Sequence, residues 1–123
     1  MQTTTNLSET AQKLLAELIK TGGAWEQSLM DAVFLKPTYP TDKNDREGRI
    51  KYWTWQANAY GNAITMSVGA DHNDTMIFPG CEYKDSYAHQ LSNAYQELKK
   101  AGLADERNNG FNEYWLYPTN KKA

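Results

Sequence analysis

The stretch that decides the fold runs Ser86-Tyr-Ala-His-Gln-Leu-Ser-Asn-Ala-Tyr-Gln-Glu-Leu-Lys-Lys-Ala-Gly-Leu103, then Asn108-Asn109-Gly110, then Glu113-Tyr-Trp-Leu-Tyr-Pro118. Tyr87, Leu91, Ala94, Leu98 and Ala101 recur at helical spacing, which predicts a helix over about 86–101 with one apolar face. Asp85 or Ser86 can cap its start. Gly102 stands where a left-handed residue ends a helix, and Leu103 can fold back onto the last turn. Asn109-Gly110 is a hairpin turn signal. Its flanks, Leu103–Arg107 and Asn112–Tyr117, predict two paired strands over about 103–117, the second rich in aromatic strand formers.

Upstream, Ala11, Leu14, Leu15, Leu18 and Ile19 form an apolar helical stripe over about 7–21. Asn6 or Ser8 can cap it, and Gly22-Gly23 stops it. A second, shorter helix is expected over about 25–34, with Trp25, Leu29, Ala32 and Val33 toward the core and Pro37 beyond its end. Residues 36–49, broken by Pro37, Pro40 and Gly48, are expected to be a loop. From Ile50 the pattern is read as period two. Ile50–Tyr60, Asn62–Val68 and Thr75–Phe78 then make a three-stranded antiparallel meander over about 50–78, with turns at Tyr60–Asn62 and Asp71–Asp74.

The steps Lys100-Ala101-Gly102-Leu103, Asn108-Asn109-Gly110 and Glu113-Tyr114-Trp115-Leu116-Tyr117 resemble the end of a winged helix-turn-helix domain. There a recognition helix ends in a Lys-Ala-Gly-Leu-like step, and a β-hairpin wing follows. Leu7–Phe34 is similar to the two helices that come first in such a domain. The resemblance covers about half the chain. It departs from the family between the second and third helices, where some fifty residues replace a short turn. It implies an α+β fold, winged-helix-like with a C-terminal wing and an inserted meander, in a single domain over 1–123.

The resemblance makes the outer face of the last helix a recognition surface. At 100° per residue that face holds His89, Ser92, Asn93, Gln96, Lys99 and Lys100, types that pair with base edges or phosphates. Arg107, near the wing tip, and Lys121 and Lys122 in the tail can reach phosphates. Against this, any solvent-facing helix is polar, and Asp85, Glu97, Asp105, Glu106 and Glu113 lie nearby in sequence. A second candidate surface is Tyr52, Trp53, Trp55 and Tyr60. If strand-borne, Trp53 and Trp55 share one face and Tyr52 the other, which suits base stacking, a protein interface or simply a core.

The net charge of −2 lacks the basic excess of a dedicated nucleic-acid binder. Hydrophobic residues at 40% and charged residues at 23% argue for a folded chain. One cysteine, Cys81, cannot form an internal disulfide. Met1–Leu7 has no apolar leader pattern, so a cytoplasmic location with no membrane partner is expected. Asp71-His72-Asn73-Asp74 with Cys81 has metal-ligand types, but its spacing fits no known site and its residues suit a turn. No nucleophile elbow, phosphate loop or paired-histidine motif is present. The expectation is therefore a non-enzymatic protein without cofactor or metal. It is first a DNA-binding transcription regulator, acting as a dimer on paired half-sites. The alternative is a protein-interaction module or inhibitor, of the kind that mobile elements such as phages and plasmids carry.

Overall fold

The first helix, α1 (Glu9–Thr21), starts where Ser8 accepts a hydrogen bond from the Ala11 N–H at 3.2 Å. It ends at Gly22, whose N–H reaches Leu18 O. A short strand, β1 (Ala24–Trp25), leads into α2 (Glu26–Val33). Then come α3 (Arg46–Tyr60), β2 (Ile64–Ser67), β3 (Thr75–Phe78), a 3-10 turn at Tyr83–Asp85, α4 (Tyr87–Lys100), β4 (Ala104–Asn108) and β5 (Tyr114–Pro118). This computed structural model describes residues 7–108, 110 and 113–119. Within them the chain is α+β, with four helices, a three-stranded sheet of order β1-β5-β4 and a two-stranded sheet β2-β3. All pairings are antiparallel.

The chain divides into two compact units, Met1–Leu35 with Gln90–Ala123, and Lys36–His89. The division falls inside α4.

In the first unit, β5 is the central strand. Leu116 sits opposite Ala24 on one side and Glu106 on the other. Leu14 and Leu18 of α1, Leu29 and Met30 of α2, Leu91, Ala94, Tyr95 and Leu98 of α4, and Leu116 are buried. The apolar stripes of the helices therefore decide burial here, as the periodicity anticipates. Three positions differ. Ile19 is 66% exposed, Trp25 is 39% exposed, and Ala32 is exposed, while Met30 is buried instead. Trp25 belongs to β1, pairs with Trp115 and meets its ring edge-on at 5.1 Å, so its orientation follows the sheet and not α2. At the end of α4, Gly102 (φ 76) lets Leu103 N–H return to Leu98 O at 2.8 Å, so the expected cap forms. Between β4 and β5, Gly110 N–H donates to Asn108 Oδ1 at 2.7 Å. Asn109, Asn6, Lys121 and Lys122 lie outside the described residues.

The second unit corrects the meander. Ile50–Tyr60, expected as a strand, is the body of α3, and the helix already begins inside the expected loop. The reason is local chemistry that outweighs aromatic strand preference. Asp45 caps the helix by accepting from Gly48 N–H at 2.9 Å, and Glu47 lies in the first turn. Ile50, Trp53 and Ala57 then repeat at helical spacing. They pack with Ile64, Met66, Val68, Met76 and Phe78 in a core of their own. At the other end, Gly61 (φ 69) is a left-handed C-cap. A Cβ there would lie 2.8 Å from Tyr83 Cα, so only glycine fits. What remains of the meander is a two-stranded hairpin in the register Ile64↔Phe78 to Ser67↔Thr75. Its faces alternate as expected, with Ile64 and Met66 packed inward and Thr65 outward. Two arginines of α3 hold the hairpin turn. Arg46 pairs with Asp74 at 2.9 and 3.3 Å, and Arg49 Nη1 donates to Gly69 O at 2.6 Å.

Candidate functional site

Seven expected contact residues lie on α4 and β4. Leu91, Ala94, Tyr95 and Leu98 turn one face of α4 into the core. The 100° rotation per residue then leaves Asn93, Gln96, Lys99 and Lys100 exposed and Ser92 half-buried. His89 is half-buried and belongs to the second unit, where its ring meets Tyr83 at 5.2 Å. Its backbone N–H donates to the buried Ser86 hydroxyl at 3.2 Å, which caps the helix. Structure thus separates His89, with a local packing role, from the five α4 residues that follow it.

Two cations of the candidate set, Lys99 on α4 and Arg107 on β4, are engaged locally. Lys99 Nζ lies 3.7 Å from Glu106 and 5.9 Å from the centre of the Tyr95 ring. Arg107 is exposed on β4 and stacks its guanidinium 5.8 Å from the Tyr117 ring. Glu106 is the electrostatic centre of the neighbourhood. Burial, and then the charges of Glu106 and Asp105, push the Tyr95 phenol well above its ordinary value. Burial, and then Glu106, also raise the Glu26 carboxyl. Counted over the whole sequence, seven Lys and Arg face eight Asp and Glu in the first unit, and six face seven in the second. Neither unit is a basic body.

Sequence reasoning missed Tyr95 and Glu97. Tyr95 lies about 40° from Leu91 on the helical wheel and is 4% exposed, a widening of the apolar face that its hydroxyl disguised. Glu97 accepts from both the N–H and the hydroxyl of Ser8, a pairing that no local spacing signals.

The aromatic group is not a strand face. On a helix, positions 53 and 55 are about 200° apart, so Trp53 and Trp55 face different ways. Trp55 is 5% exposed and lies against Tyr87 with ring centres 5.3 Å apart. Trp53 and Tyr52 are half-buried and meet edge-to-face at 4.8 Å, and Tyr60 is 40% exposed. An exposed Trp53–Trp55 pair therefore does not exist. The Asp71–Asp74 segment is occupied by turn bonds. Asp71 Oδ1 accepts from Asn73 N–H at 2.9 Å, and Asp74 holds Arg46. The Cys81 thiol lies 3.6 Å from Asn58 O.

No family model, curated protein or solved structure matches the chain.

Proposed function

We propose that the chain is a winged-helix DNA-binding regulator that reads DNA through the outer face of α4, with β4–β5 as its wing. One observation carries this reading. The two N-terminal helices, α4 from Gln90 onward and the closing hairpin belong to one unit, although Lys36–His89 interrupts them and folds around its own core. The insertion is thus compatible with the helix arrangement of the resemblance. Asn93, Gln96 and Lys100 are the exposed groups suited to base edges or phosphates, and Ser92 is a half-buried neighbour.

The charge balance supports a binder with few phosphate contacts. Lys100 and Arg107 are exposed, while Lys99 is shared with Glu106. With about two phosphate contacts, log K falls with log salt at a slope of about −2, much shallower than for a basic domain. Specificity then rests on base contacts, and a dimer on two half-sites adds the missing affinity.

The test is fluorescence anisotropy of duplex DNA at ~50 and ~200 mM salt, with the intact chain and with Asn93→Ala/Gln96→Ala. Binding that the double substitution weakens by tenfold or more supports the reading. Equal binding removes α4 from it. No binding at low salt moves the weight to the second reading, a protein-interaction module or inhibitor, which the acidic balance of the first unit favours. Sedimentation of the same samples tests the dimer.

A further inference from the structure

Inside the second unit, three rings meet edge-to-face. Tyr39 lies 5.0 Å from Tyr52 and 6.0 Å from Trp53, and Tyr52 lies 4.8 Å from Trp53. Two cations border them. The Arg49 guanidinium is 5.8 Å from the Tyr39 ring centre, and Lys36 Nζ is 5.5 Å from that of Tyr52. Among the described residues, no carboxylate forms an ion pair with Lys36 or Arg49.

Arg49 Nε and Trp53 Nε1 are both buried, and neither finds an acceptor among the described residues. Arg49 Nη1 is already committed to Gly69 O. Buried donors without acceptors are uncommon because each forfeits its hydration. Here two of them belong to side chains that flank Tyr39, with the Arg49 guanidinium 5.8 Å and the Trp53 ring 6.0 Å from the centre of its ring. That ring is 42% exposed and comes from a segment without helix or strand, between Pro37 and Pro40. It supplies a flat apolar surface to its neighbours but no oxyanion for either donor.

We propose that this cluster is a ligand site for a small carboxylate carried on a flat ring, which takes the place of the Tyr39 side chain. The ring of such a ligand packs against the edges and faces of Tyr52 and Trp53 as Tyr39 does. Its carboxylate accepts from Arg49 Nε and Trp53 Nε1, with Lys36 adding positive charge. Tyr39 is then a displaceable plug, and Arg49, Trp53 and Lys36 are the recognising residues.

The indole N–H of Trp53 reports this directly. In the 15N-labelled full chain it gives one of four indole signals, assigned by its loss in Trp53→Phe. The probes are benzoate, acetate (charge without ring) and benzyl alcohol (ring without charge). Benzoate should shift the Trp53 signal downfield and saturably. It should do so at tenfold or more lower concentration in Tyr39→Ala, or in Tyr39→Leu if the alanine variant loses its native spectrum. Arg49→Lys should weaken the response, and acetate and benzyl alcohol should act only at tenfold or more higher concentration. A Trp53 signal that benzoate leaves in place, in both the intact chain and the folded Tyr39 variant, overturns the proposal. So does acetate acting as well as benzoate.

Discussion

Glu97 closes over Ser8. Its Oε1 accepts from the Ser8 N–H at 2.9 Å and its Oε2 from the Ser8 hydroxyl at 2.7 Å, while the same hydroxyl accepts from Ala11 N–H. In a capping box the glutamate sits three residues after the cap. Here that position is Ala11, and the carboxylate comes from α4. The cap of the first helix is therefore also a tie to the helix that carries the proposed recognition face. Ser8→Ala should cost about 1–2 kcal/mol. Glu97→Ala should cost less, since the pair is exposed. A double-mutant cycle by urea denaturation checks the tie, with a coupling of at least about 0.5 kcal/mol expected. Additive losses would show that the two residues act separately.

Trp55 and Gln96 should behave oppositely. Trp55 is buried against Tyr87, so Trp55→Ala should lower stability by about 3–5 kcal/mol. Gln96 and Asn93 are exposed, and their alanine variants should stay within about 0.5 kcal/mol of the parent. Thermal melts of the three variants decide it. A mild Trp55→Ala would mean that the aromatic residues of α3 are surface after all.

Gly61→Ala probes the helix that replaced the expected strand. The left-handed backbone and the 2.8 Å approach of Tyr83 Cα leave no room for a methyl group. The loss should exceed about 1 kcal/mol. Were residues 50–60 a strand with an ordinary turn after it, the same change would be nearly silent.

Tyr95 sets an alkaline limit. Its phenol is raised by burial, with Glu106 and Asp105 adding to the effect. The unfolded chain releases this proton near pH 10 and the folded chain keeps it, so stability falls as pH rises past about 10. Below that pH both states hold the proton and the term vanishes. Tyr95→Phe should remove this part of the fall. At neutral pH the variant loses no more than a weak contact of the hydroxyl with Glu106, so it should stay within about 1 kcal/mol of the parent. Urea titrations at pH 7 and pH 10.5 check both points.

Much of the first unit was legible because its signals are local. Ser8, Gly22 and Gly102 punctuate helices through their own backbone geometry, and Leu14, Leu18, Leu91 and Leu98 mark buried faces by spacing alone. The polar outer face of α4 followed from the same arithmetic. Residues 50–60 misled because Trp, Tyr and Ile favour strands, while the Asp45 cap and the Ile50–Trp53–Ala57 spacing carried the stronger signal.

The sequence by itself determined the α+β class, the ends of three helices, the closing hairpin, the outer residues of α4 and the near-neutral charge. These depend on groups a few residues apart. Tertiary structure alone decided that 46–60 coils into a helix against β2 and β3, that Trp53 and Trp55 face different ways, and that Glu97 caps Ser8. It also decided that Arg49 and Trp53 bury donors beside Tyr39. Each of these depends on which distant side chain arrives to cover or accept, and that is set by packing.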